Sequence, residues 1–221
     1  MNAAAAAALA RHAASRSPEA NPALLFLHAD TRLPYDAVAC VRGCLADPRV
    51  VAGGFVSVPE SPARAWWFMA WHNSAKAVYA PLLFKPASFA RGLRLLFGDQ
   101  ALFCRAGPFQ AVGGYDEGVP ILEDADLCLK LHAAGPAPAT RDATPGRFVA
   151  LPPWSRAPRG RVVLLSRPVA TDGRRFEVWG NARATLVHVA LMGSWYAGAS
   201  AQQLRRLYGA LYGDIRSAAK A

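Results

Sequence analysis

The sequence predicts an α/β domain with a mostly parallel sheet, closed by carboxy-terminal helices. Short apolar runs typical of strands alternate along the chain with periodic segments typical of helices. The chain has 221 residues, of which 53% are apolar and 18% charged, so it can bury one substantial core and is globular rather than disordered. We therefore expect a single domain over residues 1–221.

The first predicted strand is a continuous apolar run, which is typical of a strand buried on both faces. In chain order the predicted strands are Ala23–His28, Arg49–Val58, Asp99–Arg105 and Val162–Leu165. The predicted helices are the alanine-rich opening, Pro34–Leu45, Trp66–Tyr79, a brief helix from Gly107, Glu123–Ala134, Glu177–Tyr196 and Ser200–Ile215. Pro136–Arg161 lacks periodicity and predicts a loop or insertion. The pair Gly53-Gly54 predicts a bulge or a close backbone approach.

The net charge indicates which classes of partner to expect, and the cysteine pattern indicates the cellular compartment. The net charge of +10 favours anionic ligands, but the arginines are scattered and no nucleic-acid-binding motif is present, so we expect no nucleic-acid partner. The four cysteines lack paired spacing, which favours free thiols in a reducing compartment. We predict a cytoplasmic protein, with an organelle as the alternative because the arginine-containing opening resembles a transit peptide.

No segment predicts a membrane span. A span needs about 18 to 20 uninterrupted apolar residues, and the best candidate, Ala63–Phe84, is interrupted by His72, Asn73 and Lys76. Its aromatic residues are too crowded to face one core together. We therefore expect some of them to be exposed or to line a groove: Trp66, Trp67, Phe68, Met69 and Trp71.

Two acidic segments are candidate sites. LLFLHADTRLP (24–34) places Asp30 after a predicted strand, where a carboxylate can hold a divalent cation and through it a diphosphate. A helix cap is the alternative explanation. The segment 98–131 begins with Asp99 and ends with Glu123, Asp124 and Asp126 at a helix start. Helix amino termini favour acids, but three in four residues exceed what capping needs, and one could serve as a general base.

A basic segment supplies a third candidate. In RPVATDGRRFEVWGNARATL (167–186), Arg174 and Arg175 follow a glycine turn, and guanidinium groups suit diphosphate oxygens. A solvated basic turn is the alternative. In this order the three segments resemble the inverting family-2 glycosyltransferases of the Rossmann-like GT-A fold, and among them the bacterial-type arsenosugar-biosynthesis subgroup. Gly198-Ala199-Ser200, Leu204 and Tyr208 extend the resemblance to nearly the whole chain outside 136–161.

The resemblance implies a role for each motif residue. Asp30 matches the metal-binding acid of a DxD motif, with His28 where a first aspartate often stands, so Mg²⁺ or Mn²⁺ is the implied cofactor. Asp124 matches the catalytic base. The acceptor side is assigned Asp99, Gln100 and Glu123. Arg175, with Arg174 beside it, matches the diphosphate-binding arginine of a QxxRW motif in which Asp172 replaces the glutamine and Phe176 the tryptophan.

The implied reaction is inverting transfer of a sugar from a nucleotide-sugar donor to a small-molecule hydroxyl acceptor. Family members hold the base and ribose with two strands resembling VIIPTLNE and DGGS, which have no counterpart here, while the opening MNAAAAAALARHAA resembles the helix that follows them. We therefore expect an incomplete GT-A domain that binds nucleotide-sugar weakly or not at all. The alternatives are an inactive fragment or partner protein that keeps the fold, and a basic nucleic-acid-binding protein.

Overall fold

The computed structural model describes residues 1–15, 22–119, 121–136 and 159–218, with side chains as far as Tyr212. Most of the predicted loop, residues 137–158, lies outside this part of the chain. The elements are α1 (Asn2–Ala13), β1 (Ala23–Leu25), β2 (Thr31–Arg32), α2 (Ala37–Leu45), β3 (Val50–Glu60), α3 (Trp67–Phe84), α4 (Pro86–Ala90), a 3-10 turn (Gly98–Gln100), β4 (Phe103–Arg105), α5 (Ala106–Ala111), α6 (Glu123–Ala134), β5 (Arg161–Asp172), α7 (Arg174–Tyr196) and α8 (Ala201–Ala218). The α/β class is confirmed.

The strands form one mixed sheet in the order β1-β4-β3-β5-β2. Only β3 and β5 run parallel, whereas β1–β4, β3–β4 and β2–β5 are antiparallel. The prediction of a mostly parallel sheet is therefore wrong. Parallel neighbours need a long crossover connection, and the two- or three-residue strands β1, β2 and β4 pair antiparallel with whichever strand their connections bring beside them.

The β3–β5 pair forms the long axis of the sheet. The predicted strand Val162–Leu165 is only the first part of β5, which continues to Asp172 beside β3 with a register shift ahead of Pro168. A side chain on Gly53 would collide with Phe103 and with the carbonyl of Val163, which confirms the predicted close approach. Because β5 is longer than predicted, it carries Thr171 and Asp172 to the edge of the sheet where α7 begins.

Two strands are shorter than predicted, and both changes shape the site. The residues 98–100 form a 3-10 turn instead of the start of β4, because the Gln100 side chain accepts a hydrogen bond from the amide of Phe97 at 3.0 Å. Strand β1 ends at Leu25 and lies at an edge of the sheet. Asp30 therefore occupies the turn between two edge strands, not the end of a central strand. It is not a helix cap either, since α2 begins after Asp36.

The helices cover the sheet, and α6 has the predicted bounds. At the start of α3, some of the crowded large apolar residues are exposed, as expected. Trp66, just before the helix, and Met69 are buried, while Trp67, Phe68 and Trp71 are exposed. None of the described helices is long and apolar enough to cross a membrane. All four cysteines are free thiols, as predicted.

Candidate functional site

A cavity of about 210 Å³ lies where the 3-10 turn, the end of β5 and the helices α3, α7 and α8 meet. Four of the eight site residues that the sequence predicted line it, namely His28, Asp30, Asp99 and Arg175, together with several residues that it did not predict. Its lining residues are His28, Asp30, Lys76, Phe97, Gly98, Asp99, Ile121, Leu122, Thr171, Asp172, Arg175, Phe176, His188, Leu191, Met192, Tyr208 and Tyr212.

Asp124 lies behind one wall of this cavity, in the first turn of α6. Its carboxylate is buried and accepts a hydrogen bond from the Tyr115 hydroxyl at 3.0 Å. Burial, reinforced by the charge of Glu123, raises the pKa of Asp124 from 3.8 to about 6. A carboxylate with that pKa is ionised at neutral pH and is a stronger base than an exposed aspartate.

Gly98 separates Asp124 from the cavity. A methyl group on Gly98 would lie 3.0 Å from Asp124 Oδ2 and would collide with the imidazole of His28. Gly98 and His28 both line the cavity, whereas Asp124 does not, so the carboxylate lies next to two lining residues without lining the cavity itself. Leu122, two residues before Asp124, has a left-handed backbone (φ 66°), a strained conformation for leucine and one often found at functional sites.

Tyr115 is held by the first helix. Its amide donates to Asn2 Oδ1 at 2.9 Å, and its carbonyl accepts from Asn2 Nδ2 at 2.8 Å. Burial raises the pKa of Tyr115 well above its usual range, so the hydroxyl stays protonated and donates to Asp124. The sequence analysis missed both residues; the turn Gly113-Gly114-Tyr115 was the available signal, because Gly114 adopts a left-handed backbone (φ 70°) with Asn2 against it.

The three predicted acceptor-side residues have different surroundings. Asp99 lines the cavity, and its Oδ2 accepts hydrogen bonds from Ser57 at 2.9 Å and Asn73 at 3.1 Å. Gln100 is fully buried and stabilises the 3-10 turn, so it does not reach the cavity. Glu123 is half-buried and outside the lining, and its effect on the site is the charge that raises the pKa of Asp124.

Asp30 is exposed and lines the cavity beside Asp172 and His28. Its carboxylate accepts one long hydrogen bond, from the Thr31 hydroxyl at 3.4 Å. Within the part of the chain that the structure describes, no three His, Cys, Asp or Glu side chains converge as a metal site. The residues fit a cation of the Mg²⁺ type that takes one or two protein carboxylates and completes its shell with phosphate oxygens and water.

The two predicted arginines point to different places. Arg175 lines the cavity, where its guanidinium donates to the Tyr212 hydroxyl at 3.5 Å. Arg174 instead pairs with Asp172 at 2.6 Å and borders a separate surface depression. Asp172 also accepts a hydrogen bond from the amide of Arg174, the first residue of α7, at 2.8 Å.

Lys76 and His188 are cavity residues that the sequence analysis did not assign to the site. Lys76 lies in α3 and is 6% exposed, with its ammonium 3.9 Å from the centre of the Phe97 ring. Burial lowers the pKa of Lys76 from 10.5 to about 8. His188 in α7 stacks on His72, and burial beside Lys76 and Arg175 lowers its pKa to about 2, so its imidazole is neutral.

No protein-family model, curated protein or solved structure matches this chain significantly.

Proposed function

We propose that this chain is an inverting glycosyltransferase in which Asp124 is the general base and the cavity receives the diphosphate and sugar of the donor. The observation that best supports the proposal is the position of Asp124. Its buried, hydrogen-bonded carboxylate lies beside Gly98, a residue that lines a cavity together with the cations Lys76 and Arg175. A base close to a cavity lined by cations suits the displacement of a diphosphate by a hydroxyl.

The proposed reaction is a single displacement. The acceptor hydroxyl oxygen attacks the anomeric carbon, its proton passes to Asp124, and the bond from that carbon to the diphosphate breaks with its electron pair leaving on the diphosphate. The hydroxyl of Tyr115 orients the carboxylate, and Asn2 fixes the backbone of Tyr115. General-base catalysis of this kind contributes roughly 10² to 10⁴ in rate.

A divalent cation fits the exposed wall of the cavity. Asp30 would hold it, with His28 beside it, and a bound ion would neutralise charge on the departing diphosphate. Mg²⁺ and Mn²⁺ are the ions that we propose. Asp30 is exposed, and its carboxylate makes only one long hydrogen bond within the described residues, so it is available to a cation. The cation site is therefore tested by the affinity of Asp30→Ala for Mn²⁺, which should be lower than that of the unmodified protein.

The size of the cavity limits the donor contacts. A volume of about 210 Å³ is below the roughly 300 to 1,000 Å³ of typical small-molecule sites. The cavity accommodates a diphosphate with part of a sugar, not a base and ribose as well. This supports the expectation of weak nucleotide-sugar binding, since the missing contacts would each contribute about 1 to 3 kcal/mol.

A transfer assay tests the proposal. Nucleotide-sugars at millimolar concentration are incubated with Mn²⁺ and a panel of hydroxyl acceptors, and nucleoside diphosphate release and the anomeric configuration of the product are measured. Asp124→Asn should lower kcat roughly 10²-fold or more without changing donor affinity by calorimetry. Asp126→Asn is the matched control, because Asp126 lies on the same helix but pairs with Lys130 at 2.7 Å. Absence of transfer by the unmodified chain, or equal losses in both variants, would contradict the proposal.

A further inference from the structure

We infer that the end of the cavity formed by α3, α7 and α8 is a phosphate-binding site with Lys76 at its centre and Arg175 and His188 as its other donors. The inference deepens the proposed function and rests on it for the role of the cavity, but phosphate binding by these residues can be measured without sugar transfer. The phosphate could belong to the donor diphosphate or to a phosphorylated acceptor, and the experiment below separates the two.

Within the part of the chain that the structure describes, Lys76 is a buried cation that no carboxylate pairs with. The hydrogen bond that it makes there, to Asn73 Oδ1, is long at 3.5 Å. Asp99 is close enough to favour the charged ammonium, but its Oδ2 is bonded to Ser57 and Asn73. A buried charge left in this state is costly unless a ligand completes its surroundings.

Two further donors face the same space. Arg175 makes no ion pair within the described residues, whereas its neighbour Arg174 is bonded to Asp172. The Nδ1 atom of His188 is buried without a hydrogen-bond partner. Because this imidazole is neutral, it can donate one N–H to an anion without adding to the repulsion between Lys76 and Arg175.

The combination of donors favours phosphate over a carboxylate. Two cations with a neutral donor match the charge and the several oxygens of a phosphate group, while a carboxylate neutralises only one of the cations. The available volume of about 210 Å³ holds one or two phosphate groups. The stacked aromatic rings of Tyr208 and Tyr212 line this end of the cavity.

The site should lose affinity at alkaline pH. The charged and titratable groups that face Lys76 are Asp99 from the 3-10 turn, Arg175 and His188 from α7, His72 from its own helix, and Tyr208 and Tyr212 from α8. Of these, Lys76 loses its charge first as pH rises, because burial lowers its pKa to about 8. Phosphate binding should therefore weaken from about pH 8 upward.

Calorimetry and phosphorus NMR with inorganic phosphate and with pyrophosphate, on the full chain at pH 7, test the inference. Lys76→Met and Arg175→Gln should each weaken binding at least tenfold. Lys130→Met and Arg174→Gln are the matched controls, because both side chains are ion-paired outside the cavity, and they should bind normally. Arg175 is exposed, so its variant keeps the test valid if Lys76→Met fails to fold. No binding by the unmodified chain, or unchanged binding in both cavity variants, would overturn the inference.

A competition arm identifies the source of the phosphate. Displacement of inorganic phosphate by a nucleoside diphosphate would assign the site to the donor, whereas simultaneous binding would assign it to a phosphorylated acceptor. Asp124→Asn should bind phosphate normally. Transfer activity without phosphate binding would overturn this inference alone, and phosphate binding without transfer would overturn the proposed function alone.

Discussion

The two ends of the cavity keep opposite charges out of water by different means. At the acidic end, Asp124 is held by a hydrogen bond from Tyr115, and Asp99 by bonds from Ser57 and Asn73. At the cationic end, Lys76 is packed against Phe97 with one long hydrogen bond. The acidic end is organised without a ligand, whereas the cationic end is left for a ligand to complete.

The burial of Asp124 and Lys76 also lowers the stability of the folded protein. Burial raises the pKa of Asp124 and lowers that of Lys76, so in both cases the folded protein disfavours the charged form. The two penalties depend on pH in opposite directions: that of Asp124 appears as pH rises, and that of Lys76 appears as pH falls. Measurements that separate the two ends can therefore use pH as the variable.

The largest effect is expected for Gly98→Ala, which places a methyl group against the Asp124 carboxylate and in collision with the imidazole of His28. Transfer should fall by roughly 10²-fold or more, because the loss of geometry at the base removes most of its contribution. Phosphate binding at the other end should remain. Gly43→Ala is the control, since nothing lies within 4 Å of the added atom and alanine favours its helix. Normal transfer by Gly98→Ala would show that the arrangement of Asp124 and His28 around this position is not needed for transfer.

Lys76→Met should stabilise the protein at neutral pH. The pKa of Lys76 is lowered from 10.5 to about 8, so its contribution to stability is present above pH 10.5 and lost as pH falls through 8. At pH 7 the lost stability is about 3 kcal/mol. In denaturant titrations without phosphate, the advantage of the variant should be about 2 to 3 kcal/mol larger at pH 7 than at pH 10. A constant difference would mean that the ammonium is solvated.

The free energy of unfolding of Asp124→Asn, relative to the unmodified protein, should change with pH in the opposite direction and by a slightly smaller amount. The pKa of Asp124 is raised from 3.8 to about 6, so its contribution to stability is present below pH 3.8 and lost as pH rises through 6. Relative to the unmodified protein, the variant should gain about 2 kcal/mol between pH 4 and pH 7.5. Asp126→Asn, tested by the same denaturant titrations, should show no such gain. If the variant is more stable than the unmodified protein only at acidic pH, the assignment of Asp124 as a buried, ionised base is contradicted.

The smallest effect is expected for Asn2→Ala, which removes two hydrogen bonds from the backbone of Tyr115. We expect a loss of about 1 to 2 kcal/mol and faster hydrogen exchange at the Tyr115 amide, which Asn2 protects. The exposed Gln202→Ala in α8 serves as the control. Unchanged exchange at Tyr115 would separate α1 from the acidic end of the cavity.

The acidic end could be predicted from the sequence because its residues lie in short local motifs. The helix Glu123–Ala134 was predicted with its observed bounds, and the acids at its start indicated a general base. The resemblance then implied the roles of Asp99 and Asp124. The cationic end could not, because Lys76, His188 and Tyr212 come from three helices distant in sequence. Its one local signal was the interruption of an apolar helix by His72, Asn73 and Lys76.

The errors in the fold have a similar origin. Strand direction depends on connections and partners and not on the apolar run itself, so the mostly parallel sheet was predicted wrongly. The side chain of Gln100 turns the chain before β4, which placed Asp99 in the cavity wall and Gln100 in the core. Such contacts between a side chain and a neighbouring amide are not visible in hydrophobic periodicity.

The pH dependence of kcat/KM for sugar transfer is the most direct test of the roles of Asp124 and Lys76, because it reports on both ends of the cavity in one experiment. We expect a bell-shaped profile that rises through about pH 6 as Asp124 ionises and falls through about pH 8 as Lys76 loses its proton. Lys76→Arg should move the alkaline limb above pH 9, since guanidinium stays charged. A profile that is flat from pH 5 to pH 7 would contradict the assignment of Asp124 as the base, and one that keeps rising beyond pH 9 would contradict the role of Lys76.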